Sequence, residues 1–471
     1  MGQFLFDVPE KWPIKSRQAA SIHIVGIDGI PWPCKVNLDG NTLVIQRNRD
    51  ESGRVFISFP FSEYGEIVVA TGTLPESSNP YCLVTELARG TANRLRNQIS
   101  IWQEGGLVIG DDVHQTTAAA TKLLGTAIMA KNRTVRIENA WSAIEKSMQA
   151  TFLLCREFAD QIVPVRKAQT PSTTFWFANR IGQGEQLEPS LNTGIADLVQ
   201  VRGDQVIDLP SNKLSILGPF LDASPQGFSK ELLALADFEA RKASTLATTR
   251  EVMENVPDSV KLVHAVSGLN GTGHRNLSYP QQLQLAEDLL RAVEDSSSEL
   301  PVMVSFDFPW AERLAWSVGG THPLQIADSL LRRGLRISML GLDINLDYWP
   351  QGSVVRDPLQ WIELIDIWSQ LGLPLVICLR APSGKLQLPD PEDTRVGPSN
   401  MPRLSMNEEQ QRRFLNTVIP MMIARPTVHG IIWTQWNDSD DSHFQGAGLV
   451  DPNGKPKEIL DFWASMRAMM D

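Results

Sequence analysis

Apolar and polar positions alternate in several short runs within residues 1 to about 80, and this spacing predicts β-strands. The runs are Ala20–Ile27, Lys35–Leu38, Thr42–Gln46, Arg54–Phe59 and Gly65–Ala70. Asp39-Gly40 lies between two of them and is a strong hairpin signal. Several short strands joined by turns predict a small β-sandwich at the N-terminus.

The next stretch, residues 81 to about 170, has the spacing of helices instead. Apolar positions recur every three to four residues in Glu86–Gln103, Val113–Ala130 and Ala140–Ile162. Pro164 is expected to end the third helix, because proline lacks the N–H that a helix interior needs. We therefore expect a helical segment after the β-sandwich.

From Thr173 onward, short apolar runs alternate with longer helical stretches, a pattern typical of parallel βα units. The runs are Thr174–Ala178, Asp197–Val201, Lys213–Leu221, Val260–Val266, Pro301–Phe306, Arg336–Leu342, Leu375–Leu379 and Val428–Trp433. The helical stretches are Lys230–Asn255, Pro280–Glu294, Pro323–Arg333, Pro358–Leu371 and Asn407–Ala424. Eight strands in about 300 residues fit a (β/α)8 TIM barrel, whose usual size is about 250 residues.

The predicted fold is thus α/β, with three parts. Residues 1–80 form the β-sandwich-like domain, 81–170 the helical segment and 171–471 the barrel. A doubly wound open sheet is the alternative, but no glycine-rich phosphate loop follows the first strand of the parallel part.

Composition narrows the class of partner. The 471 residues are 42% apolar and 21% charged, as in ordinary globular proteins, and the formal net charge is −11. This charge argues against a nucleic-acid partner, because phosphate binding needs a basic face. No apolar run reaches the ~20 residues of a membrane span, and the N-terminus lacks the apolar core of a secretory signal. We therefore expect a cytoplasmic protein without a cofactor; the sequence does not indicate its oligomeric state.

Carboxylates follow two neighbouring runs of the predicted barrel. Asp307 comes directly after the fifth run and Asp343 directly after the sixth. Chemistry in such barrels lies at the carboxyl ends of the strands, and a pair of carboxyls can protonate and attack a glycosidic bond. Asp307 and Asp343 are therefore the candidate catalytic pair.

Other strand-end residues suit the binding of an oligo- or polysaccharide, since aromatic faces stack on sugar rings and polar groups bond hydroxyls. The candidate binding residues are Trp310, Trp349, Trp433, Trp436, Asn270, Asn345, Asp222 and Asp438. Any single Asp could instead cap a helix. Asp438, Asp440 and Asp441 could form a cage for Ca²⁺, but no matching ligand occurs elsewhere in the sequence. We favour a solvated loop and expect no metal.

The end of the chain resembles glycoside hydrolase family 10, the endo-β-1,4-xylanase barrels. The family closes on a Trp, an Asp-and-Ser loop, a Leu-x-Asp turn and a Lys-Pro segment, matched here by Trp433, Asp438, Ser442, Leu449, Asp451 and Lys455-Pro456-Lys457. Gly341 to Asn345 is similar to the family's sixth-strand motif, and the resemblance covers about Thr173 to Met470. It implies a TIM barrel and hydrolysis of O-glycosidic bonds in a xylan-like polysaccharide.

The two glutamates of that family do not carry over. Leu379 occupies the position of the nucleophile and Gly268 that of the acid/base. Two hypotheses therefore stay open. The chain is either a glycoside hydrolase with relocated acids, or a catalytically inactive glycan-binding or scaffolding protein.

Overall fold

A closed barrel of eight parallel strands occupies the C-terminal two thirds of the chain. The computed structural model describes residues 2–12, 14, 16–169, 175–181, 196–201, 214–223, 232, 234–235, 237–270, 277–297, 299–316, 320–349, 351–386, 403–404, 406–438 and 444–470. The strands of the barrel are β9 (Trp176–Ile181), β10 (Leu198–Val201), β11 (Leu214–Leu217), β13 (Val260–Leu269), β14 (Val302–Asp307), β15 (Met339–Asn345), β16 (Leu375–Arg380) and β19 (Val428–Trp433).

Each of these strands pairs in parallel with its neighbour, and β19 pairs back onto β9, which closes the barrel. Each of the eight predicted runs contributes a strand to the barrel, and the predicted α/β barrel is confirmed. The two-residue strand β12 (Leu221–Asp222) pairs with the C-terminal part of β13. Outside the barrel, β17 (Lys385–Leu386) pairs with β18 (Arg403–Leu404).

Five helices of the described chain overlap the predicted helical stretches, and one more follows β19. Their bounds are α5 (Phe238–Glu254), α6 (Tyr279–Ser296), α7 (Pro323–Arg332), α8 (Pro358–Ser369), α9 (Glu408–Ile423) and α10 (Glu458–Ala468). Pro stands at the first or second position of α6, α7 and α8. Its fixed φ suits a helix start, where its missing N–H costs nothing.

Side chains along each strand alternate between the barrel interior and the helix layer. Ala178, Met303 and Cys378 share a small interior cluster with Ile432. The next residue on β19, Trp433, belongs instead to the large core between strands and helices. This alternation decides which strand-end residues reach the mouth of the barrel.

Two four-stranded sheets precede the barrel, with strand orders β4-β5-β1-β8 and β3-β2-β6-β7. The strands are β1 (Gly2–Asp7), β2 (His23–Val25), β3 (Pro31–Trp32), β4 (Cys34–Asp39), β5 (Thr42–Arg47), β6 (Arg54–Phe61), β7 (Gly65–Ala70) and β8 (Tyr81–Cys82), with helix α1 (Ser16–Ser21) between the first two. The sequence did not predict β1. A sandwich arrangement and the three domain bounds stay predictions.

Three helices follow, α2 (Leu83–Glu104), α3 (Asp111–Met129) and α4 (Arg133–Gln169). The prediction that Pro164 ends the third helix is wrong, because α4 continues past it. Beyond the proline, the Arg166 guanidinium donates to the carbonyls of Arg425 at 2.9 Å and Val428 at 2.7 Å. Packing of this last turn against the barrel outweighs a local cost of about 3 kcal/mol.

The N-terminal sheets contact the loop that follows β15. The Val68 amide donates to the Val355 carbonyl at 2.8 Å, and the Gln360 side chain donates to the Val68 carbonyl at 2.9 Å. On α2, Arg94 forms a buried ion pair with Asp357, which caps α8. In the described part of the chain, no helix is both long enough and apolar enough to cross a membrane.

Candidate active site at the barrel mouth

Asp307 and Asp343 lie side by side at the carboxyl ends of β14 and β15. The two residues are direct partners in the register of these strands, so their side chains project to the same side of the sheet. Met303, two alternations before Asp307, belongs to the interior cluster, and both carboxyls therefore point into the barrel mouth. Their exposed fractions are 3% and 9%.

Two donors hold one oxygen of the Asp343 carboxylate. The Ser305 hydroxyl donates to Asp343 Oδ2 at 2.6 Å, and the Gly268 amide donates to the same oxygen at 2.9 Å. Gly268 has φ +67°, a left-handed conformation that favours glycine. Hydrogen bonds of this kind stabilise the ionised form of a carboxyl.

Behind Ser305, a chain of hydrogen bonds crosses the barrel interior to β9. Arg180 Nε donates to Gln200 Oε1 at 2.9 Å, and Gln200 Nε2 lies 2.7 Å from His264 Nδ1. His264 Nε2 in turn lies 2.9 Å from the Ser305 hydroxyl.

The direction of every bond in this chain follows from its arginine end. A guanidinium only donates, so the Gln200 carbonyl oxygen faces Arg180 and its amide N–H faces His264. His264 Nδ1 is then the acceptor, and its proton is on Nε2, which donates to Ser305. Ser305 is thereby left to donate to Asp343, so all four bonds run towards that carboxylate.

Burial keeps His264 neutral in this chain. Its side chain is fully buried, and burial followed by the charge of Arg180 lowers the pKa of His264 well below its usual value. A neutral imidazole has one N–H and one acceptor nitrogen, as the two hydrogen bonds of His264 require.

Asp307 has different partners. The Phe308 amide donates to Asp307 Oδ1 at 3.0 Å, and Asn345 Nδ2 makes a longer contact of 3.4 Å with the same oxygen. Arg380 Nη1 donates to Asn345 Oδ1 at 3.1 Å, which fixes the orientation of that amide. Both of these contacts among the described residues are with Oδ1, so we expect the proton of neutral Asp307 on Oδ2.

Burial raises the pKa of both acids, but the contacts that oppose this rise differ between them. Burial, followed by the charge of Asp343, raises the pKa of Asp307 to about 8. Burial also raises the pKa of Asp343, but the hydrogen bond from Ser305, the charge of Arg180 and the Gly268 amide oppose that rise. Both pKa values are thus raised, and the contacts that oppose the rise at Asp343 favour Asp307 as the carboxyl that keeps a proton when the pair holds one. Pairs of carboxyls whose environments separate their pKa values are typical of acid–base sites.

Strained backbone also surrounds this pair. Among the described residues, four that are not glycine have left-handed φ angles: Asn270, Phe308, Ala311 and Asp347, at +76°, +49°, +59° and +61°. All four follow β13, β14 or β15. Such conformations cost of order 1–3 kcal/mol each and cluster at functional sites.

We expect Asp307→Asn to change how stability depends on pH. Native Asp307 stays protonated up to pH about 8, whereas in the unfolded chain it ionises near pH 4. Its contribution is therefore fully present below pH 4 and is lost as the pH rises to about 8, by up to about 1.4 kcal/mol per unit. Asparagine cannot ionise, so in urea unfolding from pH 4 to 8 the variant loses less stability than wild type. Asp461→Asn, at an exposed acid on α10, is the control; equal curves for wild type and Asp307→Asn contradict the assignment.

The candidate tryptophans are packed against protein. Trp433 is 0% exposed, points to the helix layer, lies 5.6 Å from the Trp463 ring and donates to the Ala447 carbonyl at 2.9 Å. Trp436 is buried in the same core. Trp349 is buried against the N-terminal sheets, and half-buried Trp310 lies 5.4 Å from the ring of Trp361. Burial leaves Trp349, Trp433 and Trp436 without an open ring face for a sugar, whereas Trp310 keeps part of its surface exposed.

The polar candidates divide into two groups. Three of them lie near the acid pair. Asn345 contacts Asp307, and Asp222 is close enough to influence both acids electrostatically. Asn270 is the first residue after β13. Asp438 lies elsewhere and closes its own loop, since it pairs with Lys457 at 2.8 Å and accepts from the Gly448 amide at 2.6 Å.

Asp440 and Asp441 lie outside the described residues. Within the described part of the chain, no group of three or more His, Cys, Asp or Glu is placed to hold a metal ion.

Leu379 and Gly268 stand where the resemblance to family 10 places the nucleophile and the acid/base. Leu379 faces the helix layer, whereas its neighbours Cys378 and Arg380 face the interior. The Gly268 amide contacts Asp343. Neither position supplies a carboxyl, in keeping with the replacements read from the sequence.

Sequence reasoning gave no functional role to Arg180, Gln200, His264, Ser305 and Arg380. These residues come from five different strands, and nothing local in the sequence connects them. Each of the five stands at an even number of positions from an apolar interior residue, but the sequence does not show which face of a strand is the interior one.

Comparisons with known proteins give structural neighbours only; no protein-family profile and no curated protein sequence matches the chain. Native xylanase 10B from Thermotoga maritima has a TM-score of 0.43 and 11% identity, covering 67% of this chain and 98% of that one. Xylanase 10B from Thermotoga petrophila RKU-1, solved in complex with xylobiose, has a TM-score of 0.43 and 12% identity over 67% and 97%. A GH10 endoxylanase from a sugarcane soil metagenome has a TM-score of 0.43 and 11% identity over 65% and 99%. Similarity at this level establishes neither family membership nor activity.

Proposed function

We propose that the chain hydrolyses O-glycosidic bonds in a xylan-like polysaccharide, with Asp307 as general acid and Asp343 as nucleophile. The observation that carries this proposal is the pair itself: two carboxyls on adjacent strands at the barrel mouth, one favouring its proton and the other held as an acceptor. An acid and a nucleophile of this kind are the requirement of glycoside hydrolysis.

In the first step, the proton of Asp307 moves to the glycosidic oxygen as the bond between that oxygen and the anomeric carbon breaks. Asp343 attacks the anomeric carbon and forms a glycosyl ester. In the second step, the Asp307 carboxylate takes a proton from water, whose oxygen attacks the same carbon and releases Asp343. The sugar then has its original anomeric configuration.

The spacing of the strands favours this retaining route over inversion. Neighbouring strands lie about 4.8 Å apart, and Asp307 and Asp343 are direct partners across such a pair. Retaining enzymes hold their carboxyls about 5–5.5 Å apart, whereas inverting enzymes need about 6.5–9.5 Å for an intervening water.

Ser305 and the chain of hydrogen bonds behind it act as positioning groups for Asp343. A nucleophile reacts only when it is ionised and aimed at the anomeric carbon, and Ser305 and Gly268 restrict one of its oxygens to a single orientation. The rigid strands β13 and β14 carry both donors.

Binding of a glycan without turnover is the second candidate function. The low exposure of Asp307 and Asp343, at 3% and 9%, favours it, because a covalent step needs direct access to the anomeric carbon.

Wild type and the Asp307→Asn/Asp343→Asn double variant should be assayed on xylan, xylo-oligosaccharides and related β-glycans, for reducing ends and for binding. We expect turnover by wild type and none by the double variant. Binding by both proteins without turnover supports the second candidate. Equal turnover by both proteins removes these acids from the mechanism, and failure of wild type to bind or cleave any glycan contradicts both candidates.

A further inference from the structure

Two arginines face each other across one strand of the barrel mouth. Arg180 is on β9 and Arg380 on β16, and β19 pairs with both strands. Each arginine stands two residues beyond a member of the interior cluster, Ala178 and Cys378 respectively, so both side chains point inward. Between them, the residue that follows β19 at the matching height is Thr434, whose side chain is short and buried.

Protein groups use only part of the hydrogen-bonding capacity of these guanidiniums. Arg180 donates through Nε to Gln200, and Arg380 donates to Asn345 and to the Thr434 carbonyl at 3.3 Å. The buried atoms Arg180 Nη2 and Arg380 Nε have no hydrogen-bond partner among the described residues. No ion pair within 4.0 Å between the described residues includes either guanidinium. Unpaired donors and unpaired charge are costly in a buried place, which makes this side of the mouth ready for an anion.

The charged groups around Arg180 and Arg380 favour an anion between the two guanidiniums. Burial, followed by the charge of Arg180, lowers the pKa of Arg380 to about 10, although Asp222, Asp343 and Tyr348 act in the opposite direction. Two guanidiniums that repel each other gain from an anion placed between them. Asp343 already accepts from Ser305 and Gly268, and it lies one interior layer deeper than Arg380, because its register partner on β16 is Cys378.

We propose that Arg180 and Arg380 bind the carboxylate of an acidic sugar, a hexuronic acid, while the sugar ring lies against the Asp307–Asp343 pair. A planar carboxylate matches the fork of a guanidinium, and such charge-assisted bonds are strong and directional. This inference rests on the proposed glycan site and narrows its substrate from a neutral chain to one that contains uronic acid. The phenyl ring of Phe444 lies 4.5 Å from the Arg380 guanidinium and supports it from the other side.

Binding in the absence of turnover tests this proposal separately from hydrolysis. Calorimetric titrations of wild type should compare D-glucuronate with D-glucuronamide, which has the same shape without the charge, and with D-glucose. Glucose 6-sulfate and sodium acetate distinguish a sulfated sugar and a simple anion from a uronic acid. We expect glucuronate to bind about tenfold or more tightly than glucuronamide, the scale of a charged hydrogen bond.

Arg380→Gln should abolish the preference for glucuronate over glucuronamide. Arg380→Lys should keep part of this preference, because the positive charge stays while the forked guanidinium is lost. The control Arg332→Gln, at an exposed arginine of α7, should leave the preference unchanged. Thermal melts verify that each variant is folded. Equal affinity for glucuronate and glucuronamide, a preference that survives Arg380→Gln, or acetate or sulfate-ester binding as tight as glucuronate would each overturn the proposal. A glucuronate preference in a protein that cleaves no glycan refutes the hydrolase while the acidic-sugar site stands.

Discussion

Replacing Asp343 with alanine should lower kcat on a glycan that wild type cleaves by on the order of 10⁴-fold or more, the scale on which hydrolases lose activity without their nucleophile. The reason is geometric. Asp343 is the carboxylate that Ser305 and Gly268 hold at the mouth, at 2.6 Å and 2.9 Å, and no other described carboxyl receives both of these donors. Initial rates of wild type and variant, measured with the same substrate at saturation, provide the comparison.

Sodium azide should restore turnover in this variant if Asp343 is the nucleophile. Removal of the carboxyl leaves room beside the anomeric carbon, and azide can attack there while Asp307 protonates the leaving oxygen. The product is then a glycosyl azide of inverted configuration, which NMR distinguishes from the sugar that wild type releases. Recovery without a glycosyl azide, or undiminished kcat without azide, would contradict the assignment.

Asp307→Asn provides the matched control, since it removes the acid and keeps the nucleophile. Loss of general acid catalysis costs about 10²–10⁴-fold, and the loss should be greatest for substrates whose leaving alkoxide is basic. A nitrophenyl glycoside needs little protonation, so its cleavage should slow much less than that of an oligosaccharide. Azide should leave this variant without an inverted product. If both acids were only structural, the two variants would respond alike to leaving group and azide.

Arg94→Met should lower the free energy of unfolding by about 3–5 kcal/mol, the cost of breaking a buried ion pair from one side. Arg94 lies on α2, and its partner Asp357 is fully buried at the start of α8. Asp357 also accepts from the Leu359 and Gln360 amides at 3.0 Å and 3.2 Å. Methionine fills the space but leaves a buried carboxylate without its cation. Urea unfolding followed by tryptophan fluorescence measures the change.

Arg96→Met is the control for this prediction, because Arg96 is on the same helix and is exposed. Exposed substitutions usually change stability by less than about 0.5 kcal/mol. The second substitution, Asp357→Leu, placed on top of Arg94→Met, should recover part of the loss by removing the unpaired charge. Similar stabilities for Arg94→Met and Arg96→Met would show that the pair contributes little to the contact between α2 and α8.

The sequence is sufficient to predict the barrel, because each buried parallel strand is a short apolar run and all eight runs are recognisable. It is insufficient to predict which residues form the site, since the side chains at a strand end point to two faces and the order of residues does not show which face is the interior. Trp433 ends β19 in the helix layer, and Ile432 beside it faces the interior. The same alternation brings Asp307 and Asp343 inward and keeps Leu379 outward.

Two other differences between the sequence prediction and the structure also have physical causes. Local sequence predicts that Pro164 ends a helix, but the anchoring of Arg166 on the barrel outweighs that cost. The chain of hydrogen bonds from Arg180 to Asp343 joins five strands that are far apart in sequence. These contacts form only when the barrel closes, and local sequence patterns do not predict which strands closure brings together.

The backbone bond between Val68 and Val355 has a practical consequence for anyone who wishes to transplant this barrel. Strand β15 ends two residues beyond Asp343, and the loop that follows it is held partly by β7, a strand from the N-terminal sheets. A graft cut at the start of β9 would leave that loop without its outer neighbour. A graft that keeps this loop in place therefore has to include β7 and its sheet as well as the barrel.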